Sequence, residues 1–294
     1  MQLCALDTDD KLVFATTAVK HTDYFCLECN KVVRVRSGFH RQAHFYHLQP
    51  NQACRQNGKG MTHLLLQNYL KNCFPEGEVQ LECRFDVISR IADVVWIPEK
   101  LIFEIQCSPI TAAEVAARNA DYASLGYQVI WILHESRYNH NRMTAAEDLL
   151  RAWPHFFSDM DETGCGTIYD QYSVHQKGMR KLRLTKAVLH AFTPRKLQKP
   201  HEWHHLKQQL PEGLFRRAQK WNIIFPGDHI DRCLQQDESS LLLLKSFSEE
   251  ENALQGNTQL LSKPLLQGIQ EGYRRWIGRP YRALLRLWLE RACR

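Results

Sequence analysis

No stretch of 18 or more apolar residues occurs in the 294-residue chain, so no segment is expected to span a bilayer as a helix. The N-terminus carries an acidic pair, Asp9 and Asp10, and lacks the basic start and apolar run of a secretory leader. A cytoplasmic protein without membrane contact is therefore expected. No repeat or low-complexity tract stands out in residues 137–294. Ten cysteines are present, but in a cytosolic chain of this length they read as thiols or metal ligands rather than disulfides. Cys4, Cys73, Cys83, Cys107, Cys165, Cys233 and Cys293 stand singly, as small core hydrophobes do. Only Cys26, Cys29 and Cys54 fall into a pattern.

What is there is ordinary for a globular protein: 44% hydrophobic and 24% charged residues, with a net charge of +6. That balance is compatible with nucleic acid and does not demand it. The basic excess is concentrated late, with seven Arg against two Glu over 271–294. Arg and aromatic residues interleave there, as in Tyr273, Arg274, Arg275 and Trp276. The Leu-rich spacing around Trp288 favours helix packing over contact with bases.

Three regions follow from the patterning. Residues 1–59 hold short extended stretches, a Cys pair and a His-rich turn. Residues 60–136 read as helix (61–72), three strands (79–85, 88–97, 101–107), helix (from Thr111 to Leu125, stopped at Gly126) and strand (127–133). Thr111 and Glu114 have the spacing of a capping box. This order describes an α/β domain with a mixed sheet. Residues 137–294 read as mostly helical and carry no recognisable catalytic motif.

The chemistry lies in the second region. Asp93 interrupts an apolar strand, and Glu104 interrupts the next one, with Gln106 on the same face as Glu104. A short turn between the strands brings the two carboxylates together. Buried carboxylates need partners, and a pocket with two of them suits an oxygen-ligated divalent ion such as Mg²⁺ or Mn²⁺. In the first region, Cys26 and Cys29 form a C-x-x-C knuckle, followed by His40, His44, His47 and Cys54. Such a set suits tetrahedral zinc, and a segment of this size with little core usually needs a staple.

These residues resemble the competence protein CoiA-like family. The likeness rests on Arg90-Ile-Ala-Asp93, on Glu104-Ile-Gln106-Cys107-Ser108, on Arg118 and Tyr122, on Trp131-Ile132-Leu133, and on the Tyr24 to Cys29, His44 to His47 and Cys54 pattern. It covers roughly residues 1–135. The resemblance implies a PD-(D/E)XK nuclease-like core of the restriction-endonuclease-like kind, preceded by a small zinc module. It implies Asp93 and Glu104 as ligands of magnesium or manganese, with Gln106 where most such nucleases carry Lys. His63 on the preceding helix joins the site, and Gln67 stands where a Lys usually follows it. Arg90 and Arg118 contact phosphate or brace the carboxylates, and Glu82 is a weaker candidate for the site. The zinc ligands implied are Cys26, Cys29, His47 and Cys54, with His44 as the alternative to His47. The function implied is metal-dependent cleavage of single-stranded or branched DNA in transformation or recombination, alongside recombination proteins. The alternative is a DNA-binding accessory protein that does not cleave. A zinc-stabilised interaction adaptor is a third, weaker reading.

Overall fold

Two sheets organise the protein, seen in a computed structural model that describes residues 1–38, 41–49, 51 and 53–254. The Arg-rich segment 271–294 lies outside the described residues. The first sheet comprises β1 (Cys4–Leu6), β2 (Leu12–Phe14), β3 (Tyr24–Phe25), β4 (Val32–Gly38) and β5 (Arg41–His47), in the order β2-β1-β3-β4-β5. All of its pairings are antiparallel. Gln2 bridges back to Phe45 on β5, which covers that edge. The core of this module is small and centres on Tyr24, Val33, Val35 and Phe45, beside Cys26 and Cys54.

A 3-10 turn, Arg55–Gly58, leads into α1 (Met61–Asn72). The second sheet begins with β6 (Val79–Phe85), β7 (Arg90–Trp96) and β8 (Leu101–Gln106), two successive antiparallel pairs. α2 (Ala112–Ser124) then returns the chain to β9 (Gln128–His134), which lies parallel to β8. Thr111 caps α2 by accepting from the Glu114 backbone N–H at 3.1 Å. Gly126 follows the helix with φ +79°, the left-handed stop that only glycine adopts without strain. β8 is buried along its whole length, as expected of a strand covered on both faces. α1 packs Leu64, Leu66 and Leu70 on one face with Phe103 and Ile105. α2 packs Val115 and Tyr122 on the other with Ile102 and Trp131.

Past residue 136 helices do follow toward the C-terminal end of the described residues, but short strands that the sequence did not disclose come first. α3 (Ala145–Leu150) is followed by β10 (His155–Ser158) and β11 (Ile168–Asp170), then by the hairpin β12 (Ser173–Gln176) and β13 (Met179–Arg183), and by β14 (Ala187–Val188). β10, β11 and β14 extend the second sheet to seven strands, β14-β11-β10-β9-β8-β7-β6. The boundary expected at 136 thus falls within a continuous sheet. These strands span only two to four residues each, too short to show a period of two in the sequence. Helices dominate further on: β15 (Arg195–Lys196), α4 (Pro200–Gln209), α5 (Glu212–Trp221), β16 (Ile223–Ile224) and α6 (His229–Leu234). No helix among the described residues is long and apolar enough to cross a membrane.

A buried ion pair fastens α5 to this sheet. Arg217 donates to both carboxylate oxygens of Asp170 on β11, at 2.7 and 2.5 Å. Burial opposes the Asp170 charge, but Arg217 outweighs it and brings the carboxyl down to about 2. Asp170→Asn is expected to cost about 3–5 kcal/mol near neutral pH, because it leaves Arg217 buried without a counter-charge. The folded-state pKa is depressed, so this contribution is complete above about pH 4 and fades towards about pH 2. Denaturant unfolding of both proteins across that range checks it, and a gap that stays constant with pH contradicts it.

Candidate functional site

Three carboxylates stand in one row across three neighbouring strands. The β6–β7 register pairs Leu81 with Val94 and Cys83 with Ala92, so Glu82 lies opposite Asp93. The β7–β8 register pairs Val94 with Phe103, which brings Glu104 next to Asp93. That ladder stops at Val94, and the Asp93 side chain takes over: its Oδ2 accepts from the Ile105 backbone N–H at 2.9 Å. The strands diverge there, and a pocket of about 110 Å³ opens beside Asp93, Gln106, Arg118 and His63. All three acids are buried, Asp93 at 4% exposure, Glu82 at 1% and Glu104 at 0%.

Each acid is answered by the protein. His63 Nε2 lies 3.0 Å from Asp93 Oδ1. Gln67, one turn further along α1, donates its amide to the Asp93 carbonyl and to Oδ1 at 3.2 and 3.3 Å. Arg118 Nη1 meets Glu104 Oε2 at 2.5 Å, and the Tyr122 hydroxyl donates to Oε1 at 2.8 Å. Arg118 thus braces a carboxylate. Arg90 does not reach the row: it donates to Asp121 at 2.8 Å and Glu114 at 2.7 Å and ties β7 to α2. Glu114 is the shared acceptor of Arg90 and Arg118. Gln106 Nε2 donates to the carbonyl and the hydroxyl of Ser108 at 2.7 and 3.1 Å, so its amide hydrogens are committed and its oxygen is what remains for the pocket.

The residue that the sequence did not disclose is Lys59. Its ammonium sits 2.9 Å from Asp93 Oδ1 and 3.0 Å from Glu82 Oε1. Burial disfavours its charge, but Asp93 and Glu82 more than compensate and hold it above the ordinary amine range. Burial likewise opposes the Asp93 charge, and His63 and Lys59 overcome it, keeping that carboxyl well below its ordinary range. Glu104 differs: burial, its largest influence, pushes it up, while Arg118 and Tyr122 pull it down and the nearby Asp93 charge adds to the rise. A lone Lys in the polar loop before α1 carries no pattern, and only the fold brings it to the acids. Glu82 also turns out to be central. Its φ of 49° is left-handed, a conformation that costs roughly 1–3 kcal/mol outside glycine. Its Oε2 accepts from the backbone N–H groups of Leu3 and Cys4, both at 2.8 Å, so one carboxylate binds the first module to the second sheet.

The first module holds a second cluster. The ligand atoms of Cys26, Cys29, His47 and Cys54 all lie within 4.8 Å of one another. The Cys26 and Cys54 sulfurs are 3.7 Å apart, and Cys29 Sγ is 3.2 Å from His47 Nε2. Zinc–sulfur bonds of about 2.3 Å at tetrahedral angles place two sulfurs roughly 3.8 Å apart, so the set fits that ion. Burial pushes the Cys26 and Cys54 thiols above their ordinary range, and a divalent ion is what would hold them as thiolates. The choice between the two histidines is structural. His44 and His47 are three residues apart on β5 and so face opposite sides. His44 turns away, with Nδ1 2.9 Å from the Gln42 carbonyl. Glu28, inside the knuckle, accepts from the Gln56 N–H at 3.1 Å, and the Met1 ammonium reaches the Lys59 carbonyl at 3.3 Å. The cluster thereby anchors the segment that delivers Lys59.

Comparison with known families matches the chain over two adjacent segments. The model of the competence protein CoiA nuclease-like domain matches residues 59–209, and that of the competence protein CoiA N-terminal domain matches residues 9–57. The chain belongs to the competence protein CoiA family. No curated protein and no solved structure matches it. The two matched segments meet at Lys59, the residue that joins the two sites.

The wild-type protein is expected to carry one zinc per chain by elemental analysis, and Cys54→Ser to carry none after dialysis. Structural zinc supplies about 10 kcal/mol or more at neutral pH, so chelation is expected to unfold the N-terminal sheet. Full zinc in the variant, or a wild type that never binds it, contradicts the assignment.

Proposed function

We propose that the protein is a metal-dependent nuclease that hydrolyses phosphodiester bonds in DNA during transformation or recombination. The observation that carries this reading is the row of buried carboxylates beside an open pocket, at the point where β7 and β8 diverge. The family's nuclease-like domain supports it. Asp93, Glu104 and the Gln106 amide oxygen form an all-oxygen donor set, which suits Mg²⁺ or Mn²⁺. In the restriction-endonuclease-like reading, Asp93 and Glu104 hold that ion. When bound, it polarises a phosphoryl oxygen and makes water more acidic.

The remaining residues set the stage for that chemistry. Arg118 and Tyr122 fix the Glu104 carboxylate in one orientation. Ile105 N–H and Gln67 do the same for Asp93. His63, within reach of Asp93 and lining the pocket, is placed to take or give a proton at the attacking water or leaving oxygen. Lys59 supplies the cation that position 106 lacks, close to where negative charge grows on the phosphate. Single-stranded or branched DNA is the substrate class, the cytoplasm the setting and recombination proteins the partners in this reading. A second reading, a DNA-binding accessory protein without hydrolysis, is favoured by one observation: Lys59 and Arg118 already neutralise Asp93 and Glu104.

Labelled single-stranded, duplex and branched DNA with Mg²⁺ or Mn²⁺ separates the two. Cutting is expected with wild type, and Asp93→Ala and Glu104→Ala are each expected to lose about a thousandfold or more, the several kcal/mol a catalytic ion supplies. DNA binding with no cutting on any substrate favours the accessory reading. Lys59→Met is expected to cut roughly 100- to 1000-fold more slowly yet bind Mn²⁺ at least as tightly, because a competing cation is gone. Equal loss of cutting and of Mn²⁺ binding would assign Lys59 a purely structural role.

A further inference from the structure

A second cavity, of about 280 Å³, lies at the β10 side of the large sheet. Its floor is Leu133, His155 and Phe157 of β9 and β10, and its walls are the β12–β13 hairpin and α5. On α5, Gly213, Arg216, Arg217 and Lys220 recur at three- and four-residue steps and share one stripe. Leu214, Ala218 and Trp221 occupy the neighbouring stripe and are buried. Arg151 and Arg180 line the cavity from other elements.

Five cationic side chains therefore line one concavity, against a single carboxylate, Glu147. Glu147 is already held by Arg180 Nη2 at 2.6 Å. The acids that pair with Arg217, Arg216 and Arg151 are Asp170, Glu212 and Asp148, and none of these lines the cavity. The lining thus carries more positive than negative charge, although the guanidinium groups of Arg151, Arg216 and Arg217 are each paired with an acid outside it. Lys220 makes no ion pair among the described residues. Among the described residues, the Nε atoms of Arg180 and Arg217 and His175 Nδ1 are buried without a hydrogen-bond partner. Burial first, and then the charges of Arg151 and Arg180, push His175 down to about 3. A concave site rich in guanidinium donors fits an anion with several oxygens.

Its position names that anion. Glu104 pairs with Trp131, and Trp131 pairs with His155, so His155 stands two strands from Glu104 on the same face. Two strand spacings are roughly 10 Å through the sheet, and because Trp131 between them is buried under α2, a strand joining the two sites runs over the surface by a longer path of several nucleotides, each about 3.4 Å along B-form DNA. We propose that this cavity holds backbone phosphates of the DNA strand that is cut at Asp93 and Glu104. The proposal rests on the nuclease reading for the second half of that statement only.

The test uses the full-length protein with Arg151→Gln, Arg216→Gln and Lys220→Gln combined. All three residues are exposed, and Arg180 and Arg217, which support the fold, are untouched. Binding of a labelled single-stranded oligonucleotide is measured without Mg²⁺ from about 50 to 200 mM salt. The variant is expected to bind about tenfold or more weakly at the low-salt end, and the slope of log K against log salt to flatten by roughly 2, about 0.7 for each lost phosphate contact. Unchanged affinity and slope overturn the proposal, even if the wild type cuts DNA. Weakened binding by the variant together with no cutting by wild type retains the cavity as a DNA site and discards the nuclease reading instead. Competition by inorganic phosphate or a mononucleotide as strong as that of the oligonucleotide also overturns it, in favour of a small phosphorylated ligand.

Discussion

The ammonium of Lys59, buried between Glu82 and Asp93, is the contact on which the two halves of this structure depend. Asp93 and Glu82 occupy adjacent strands in a setting with little water, where two like charges at close range repel strongly. A cation between them removes that repulsion. It also links the modules, because Lys59 follows Cys54, the last member of the Cys/His cluster, by only five residues. Glu82 completes the link through the Leu3 and Cys4 backbone. The Cys/His cluster and the buried cation are thus held by one short segment.

The same interaction explains how a sheet can tolerate a row of acids. A buried carboxylate with no partner costs several kcal/mol, yet each here has at least two donors. Asp93 has Lys59, His63, Gln67 and the Ile105 N–H; Glu104 has Arg118 and Tyr122. This saturation fixes the carboxylate oxygens, of which those of Asp93 line the pocket. In the proposed reading, an incoming divalent ion would share or displace a protein cation, which would link ion affinity to Lys59.

Much of this was legible in the sequence wherever a residue type sits in a strong local pattern. Residues 61–72 show helical spacing and form α1 over those residues. Thr111 and Gly126 mark the ends of α2, although Glu114 spends its carboxylate on Arg90 and Arg118 rather than on the cap. Asp93 and Glu104 stand out because they interrupt apolar strands. The knuckle and Cys54 were readable from spacing, but only strand alternation distinguishes His47 from His44. The strands between residues 155 and 188 were hidden, since segments of so few residues carry no period. Lys59 was hidden for a different reason. Its role comes from a contact with Asp93, 34 positions away in the sequence, and nothing local separates it from a solvated lysine.

The central claim is that this row of carboxylates is a divalent-ion site. Titration of the zinc-loaded protein with Mn²⁺, followed by electron paramagnetic resonance, tests it without relying on turnover. The account predicts one bound Mn²⁺ per chain in the wild type and none at that site in Asp93→Asn. Identical Mn²⁺ binding by the two proteins, or no binding by either, would contradict it.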